Sequence, residues 1–380
     1  MPTAMRAAIL QGDAPYVDMW FAANRYKVGG ATVGDLTTVP GFTFARASMA
    51  WGFGSNGYLQ SFASGVARLV YDPVTLASLG ILVEEARTNV CLWGRDLTNA
   101  AWTHTTMTAA KNQTGIDGVA NSASSLTATA PAATTLQTIV LASSTRQQSA
   151  YVKRLTGTGV VNMTTDGVTW TAITLTEAWT RVTIPAQAAV INPVLGFQIM
   201  TSGDAIAVDC VQNEAGTGAS SAVVTTDAAV TRAADISQMT GLVVPDGCTV
   251  ISEGLAPNFV TIDARTNLSD GTTNNRLWLV YAGTTLTNDL SVGGNTYSLG
   301  TATVVAETSF KAASSSQAGR YAGSVNGAAT TIQNRATLPT LTQLDIGSNV
   351  GSGRYWNGTI SRIRIYNRAL TDAQLQALTA

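Results

Sequence analysis

Along most of the chain apolar and polar residues alternate in short runs, each broken by small or turn-forming residues. Thr169-Trp170-Thr171-Ala172-Ile173-Thr174-Leu175 and Arg181-Val182-Thr183-Ile184 show the pattern, which puts the apolar groups on one face of a strand. Asp166-Gly167, Gly293-Gly294-Asn295, Asn326-Gly327 and Asn357-Gly358 punctuate such runs. Asn-Gly and Asp-Gly favour type I′ hairpins because both central residues must reach positive φ. Helical periodicity is nearly absent. The pattern predicts an all-β chain built of sandwiches and excludes a doubly wound α/β sheet.

One helix is predicted, at the C-terminus. Thr371-Asp372-Ala373-Gln374 reads as a capping box, in which the Thr hydroxyl takes the N3 amide and the Gln reaches back to the N-cap. Leu370, Leu375 and Leu378 would dock it on the last sheet, since so short a helix does not stand alone. The strand before it, 358–366, is expected to carry Ile360, the stem of Arg362 and Arg364 on one face, with Ser361, Ile363 and Ile365 on the other. Both faces are then partly covered.

At roughly 100–200 residues per domain, 380 residues predict two or three domains. Three segments are expected: 1–88, irregular β with Gly-rich loops; 89–232, a Thr- and Ala-rich β region carrying Trp93, Trp102, Trp170 and Trp179; and 233–380, a second β region. The small, polar stretch 227–234 reads as a hinge between compact units.

Charge narrows the function classes. Only 12% of residues are charged and the formal net charge is −1, which removes the broad attraction that non-specific nucleic-acid binding needs. No run of about 18 apolar residues is present, so membrane insertion by a helix is not expected. Met1-Pro2-Thr3-Ala4-Met5-Arg6 shows neither the basic nor the apolar region of a signal peptide. Cys91, Cys210 and Cys248 form no close pair and read as buried thiols, and His104 is the one histidine.

Several strings resemble one family. Phe44-Ala45-Arg46-Ala47-Ser48 followed by Gly57-Tyr58-Leu59, then Arg68-Leu69-Val70-Tyr71-Asp72-Pro73-Val74-Thr75, and above all Leu79-Gly80-Ile81-Leu82-Val83-Glu84-Glu85-Ala86-Arg87-Thr88-Asn89, resemble tail-fibre, spike and head-fibre proteins of tailed bacteriophages and gene-transfer agents. Leu97-Thr98-Asn99-Ala100-Ala101-Trp102, Glu177-Ala178-Trp179-Thr180-Arg181-Val182 and Ala229-Val230-Thr231-Arg232-Ala233-Ala234-Asp235 are similar to that family's jelly-roll, which is like a carbohydrate-binding module. Tyr355-Trp356-Asn357-Gly358 and Tyr366-Asn367-Arg368-Ala369-Leu370-Thr371 resemble the last hairpin and helix of concanavalin/laminin-G-like sandwiches. Met49-Ala50-Trp51 and Val211-Gln212-Asn213-Glu214 depart from the usual pattern.

The resemblance implies a virion protein at the capsid surface or tail, made in the host cytoplasm. It implies an N-terminal attachment segment 1–88, other virion proteins as partners, a homotrimer, and host cell-surface polysaccharide as the ligand of the distal sandwich. A purely architectural decoration protein is the alternative, and a polysaccharide depolymerase the third reading.

The residues offer little for catalysis. Glu84 and Glu85 are successive and point to opposite faces of an extended chain, whereas glycosidases flank one bond with two carboxyls. A structural ion pair of Glu84 or Glu85 with Arg68 or Arg87 is expected instead. The Glu-x-Asp-x-x-Glu strand of sandwich glucanases is missing, and His104 has no nucleophile elbow near it. No enzyme is expected. For sugar binding, Trp356 with Tyr355, Arg354 and Asn357 at a hairpin tip is the first candidate group, and Tyr321 beside Arg320 and Asn326 the second. Trp278, Trp93 and Trp102 are expected in cores. Calcium is the one candidate cofactor, at Asp263, Asp289 and Asp345 beside turns, with turn formation by their own side chains as the competing role.

Overall fold

The computed structural model describes residues 14–255, 263–282, 284–348 and 354–380. Antiparallel sheets dominate, and Asp372–Thr379 is the one α-helix among the described residues. The chain divides into two compact units. One holds residues up to Ala47, Ser64–Glu85 and Ala234 onward; the other holds Ser48–Ala63 and Ala86–Ala233. The segment expected to stand apart at 1–88 is thus distributed between the two units.

The first unit is a sandwich of a ten-stranded and a seven-stranded sheet. N-terminal strands extend both. Val17–Trp20 pairs with Gly358–Tyr366, and Phe42–Ala45 pairs with Ile236–Val244. Met19, Val250, Phe310, Ile363 and Ile365 from one sheet and Met239, Leu268, Leu277, Leu290 and Leu344 from the other are among its fully or nearly buried core residues.

The strand Gly358–Tyr366 departs from simple alternation. Its register against Cys248–Leu255 shifts between Glu253↔Arg362 and Gly254↔Ile360, a bulge at Ser361. The extra residue turns Ile360 to the core side, where it joins Ile363 and Ile365, instead of sharing a face with Arg362 and Arg364. Gly80, at φ 96°, lies against this bulge, where a Cβ would run into the Ile360 carbonyl. Only glycine fits there.

The C-terminal helix forms as its capping box predicts. The Thr371 hydroxyl accepts from the Gln374 amide at 3.3 Å, and the Thr371 amide donates to Gln374 Oε1 at 2.9 Å. Leu370, Leu375 and Leu378 pack with Ile251, Ala313, Ala322 and Tyr366 on the outside of the ten-stranded sheet. Turns at Gly293-Gly294 (φ 57° and 84°) and Asn326-Gly327 (φ 48° and 73°) have the paired positive φ of type I′. Asp166-Gly167 does not: its carboxylate accepts from the amides of Val168 and Thr169, an Asx turn. Nor is Asn357-Gly358 a hairpin, because Gly358 already begins the strand.

Beneath this surface the first unit holds a buried ionic cluster. Arg68 donates to Glu84 at 2.8 Å and to Asp235, and Arg46 donates to the other Asp235 oxygen at 3.1 Å. Burial opposes the Arg68 charge, but the Asp235 and Glu84 carboxylates outweigh it and hold the guanidinium protonated. Of the expected pairings, Arg68 with Glu84 forms. The Glu85 amide donates to Asn357 Oδ1, and Arg87 donates to the Ala215 carbonyl.

The second unit packs a five-stranded sheet on a six-stranded one. Leu126, Val152, Val208 and Phe197 lie in its core with Trp102. Trp93 packs at that core's edge. Arg95 anchors Asp209 and Asp117 at 2.7 Å each.

Candidate functional site

The first sugar-binding group expected from the sequence is not assembled at the surface. Trp356 is fully buried, between Tyr281 and Phe310 with ring centroids 6.0 and 5.5 Å away. Its Nε1 donates to the Leu255 carbonyl at 3.1 Å. Tyr321 is equally buried and donates its hydroxyl to Ala336 O at 2.7 Å. Neither ring has a face to offer a sugar, because both fill the sandwich core. Asn357 is buried and uses its side chain on the Glu85 amide and the Tyr355 carbonyl. Arg354 and Tyr355 are half-buried.

Two of the three acidic candidates share the outer face of the seven-stranded sheet. Asp289 is opposite Trp278, Trp278 opposite Asn267, and Asn267 opposite Asp345. Trp278 is buried, as expected, but on the opposite face from Leu277, Leu279 and Tyr281, where it forms a second small cluster with Val280. Arg276 covers its ring, with Cζ 3.8 Å from the centroid. Asp345 accepts from Asn267 at 2.8 Å and Gln343 at 2.7 Å. Burial raises the pKa of Asp345, and that of Asp289 to about 6. Three strand spacings put the two Asp backbones about 14 Å apart, so they do not form an acid/base pair about one bond. Asp263 begins a strand, and its side chain lies outside the described residues. No group of three or more His, Cys, Asp or Glu side chains suited to a metal occurs among the described residues.

An accessible groove lies elsewhere in this unit, on the outer face of the ten-stranded sheet. Its volume is about 240 Å³, and Asp18, Trp20, Arg25, Lys27, Arg362 and Arg364 are among its lining residues. Local sequence builds it. Val17-Asp18-Met19-Trp20 alternates, with Val17 and Met19 in the core and Asp18 and Trp20 outward. A 3₁₀ turn at Phe21–Ala23 ends on Asn24 in the left-handed region, φ 49°, a conformation Asn tolerates. The chain then returns so that Lys27 is opposite Asp18 and Arg25 opposite Trp20. From the other side, Asp18 is opposite Arg364. Trp20 is half-buried. Arg362 lies 4.2 Å and Arg25 5.5 Å from its ring centroid, both within cation–π range. Arg364 is buried and donates to Glu253. Sequence reading missed this site because its two halves lie at opposite ends of the chain. The outward Trp20 in an alternating run was the one local signal.

The remaining candidates are structural. His104 Nδ1 is 2.9 Å from the Thr135 hydroxyl. All three cysteines are buried and unpaired, and burial pushes their thiols up, Cys248 to about 11.

No protein-family profile matches the chain, and no curated protein matches it. Among solved structures, the CBM40 of the Ruminococcus gnavus IT-sialidase is 18% identical over 36% of this chain and 84% of its own, with a TM-score of 0.30. Domain 4 of AbnA, a GH43 extracellular arabinanase from Geobacillus stearothermophilus, is 18% identical over 44% of this chain and 84% of its own, with a TM-score of 0.32. Domains LG4-5 of the mouse laminin alpha1 chain are 9% identical over 77% of this chain and 93% of theirs, with a TM-score of 0.28. Similarity at this level assigns neither a ligand nor an activity to the chain.

Proposed function

We propose that the chain is a non-enzymatic adhesion protein of a virion surface, on capsid or tail, that holds host cell-surface glycan in the groove around Trp20. One observation carries this reading: a half-buried indole, flanked by Arg25 and Arg362, in a groove on an outer sheet face. Apolar C–H groups of a sugar ring pack on exposed indole surface, while guanidinium, ammonium and carboxylate groups bond its hydroxyls. Asp18 is the one carboxylate among the lining residues, and both its oxygens accept from Arg362. That supports holding a glycan and gives no pair for cleaving it.

A groove of this size makes few contacts, so useful affinity comes from copy number: tethered sites rebind at high effective concentration. A homotrimer supplies such copies, and the sparsely charged sheets suit packing against virion neighbours. The experiment is a glycan array probed with the full chain and with Trp20→Ala. Binding to a defined set of glycans that the variant loses supports the proposal. Binding unchanged in the variant contradicts it.

A further inference from the structure

We infer that the Trp20 groove selects a carboxylate-bearing sugar, a uronate-type residue within an acidic polysaccharide. The inference rests on the glycan-binding reading and names its ligand class. Cations are scarce in this chain, 22 Lys and Arg in 380 residues, yet four of them line this one groove beside a single carboxylate. Two of the four are neutralised in place. Arg362 pairs with Asp18, and Arg364 with Glu253. Arg25 and Lys27 form no ion pair among the described residues, which leaves a local surplus of two positive charges.

Their placement suits one anion. Arg25 and Lys27 are two residues apart on Arg25–Val28 and share its outer face, which separates them by about 7 Å. A carboxylate seated between them reaches both. Guanidinium groups match the planar carboxylate through paired N–H bonds. The volume, about 240 Å³, falls below the roughly 300–1,000 Å³ that encloses a drug-sized ligand. It therefore takes one sugar ring of a chain that continues outside.

The test uses the full chain on immobilised polygalacturonate, dextran sulfate and neutral dextran. Two altered chains accompany it: Arg25→Gln/Lys27→Gln, and Thr32→Glu, which sets a carboxylate opposite Lys27 at the exposed edge of the groove while keeping all four cations. Polygalacturonate retained roughly tenfold more tightly than dextran, as one charge-assisted contact implies, with both altered chains losing that margin, supports the inference. Unchanged urea midpoints confirm that both remain folded. Equal retention of dextran overturns the inference and leaves the glycan reading standing. A preference for dextran sulfate over polygalacturonate overturns the carboxylate assignment. Retention of none of the three overturns the glycan reading itself.

Discussion

Asp18 and Arg362 lie 344 positions apart and meet carboxylate to guanidinium, through two hydrogen bonds at 2.8 and 2.7 Å. The pair ties the first described strand to the last and holds Arg362 over Trp20. Asp18→Asn removes the charge that compensates a partly buried guanidinium. The expected cost is about 1–2 kcal/mol, read from the urea midpoint of the intact chain. An unchanged midpoint means that neighbouring groups take over the role of Asp18.

Trp356→Ala is a core truncation. With the ring between Tyr281 and Phe310 and its N–H on Leu255, the loss is expected to be about 3–5 kcal/mol. Trp356→Phe, which keeps most of the volume, costs less. If Trp356→Ala instead left stability intact and abolished glycan binding, the buried placement would be contradicted.

The Arg46, Arg68, Glu84 and Asp235 cluster predicts a large effect from an isosteric change. Asp235→Asn leaves two buried guanidinium groups with one carboxylate between them, a loss of about 3–5 kcal/mol. Calorimetry of the purified chain reads it as a drop in Tm. Wild-type Tm in Asp235→Asn would show that the cluster is dispensable.

Alternation exposed the all-β class, and the Thr371–Gln374 box located the helix, because both signals are local. The same locality explains the misplacements. Ser361 looks like any strand residue until Gly80 and Gly254 show the bulge that turns Ile360 inward. Trp356 reads as a hairpin tip because Asn357-Gly358 looks like a turn, but Asn357 caps the Glu85 amide across the fold. Trp278 is buried as its residue type suggests, and its alternation with Leu277 and Leu279 sets it in a second cluster on the other face. Asp18 and Arg362 were not recoverable, since nothing in either short string announces a partner at the far end of the chain.

Asp289 predicts a pH dependence. Burial, opposed by Arg276, raises its pKa from 3.8 to about 6. Between those values the folded chain binds more protons than the unfolded chain, so this group makes stability fall as pH rises through the window and stay level above it. Burial of Asp345 acts with the same sign. Asp289→Asn removes its share of the slope and stabilises the chain at neutral pH. Urea midpoints across the window check this, and an unaltered slope in the variant rules Asp289 out as its source.

The most direct test of the central claim, that this groove holds an acidic glycan without cutting it, is one titration with two readings. Oligogalacturonate is titrated into the full chain by calorimetry, and the recovered sugar is assayed for new reducing ends. The expected result is saturable heat that vanishes in Arg25→Gln/Lys27→Gln, with the oligosaccharide returned at its original length. Shortened sugar, or heat indifferent to those two substitutions, contradicts it.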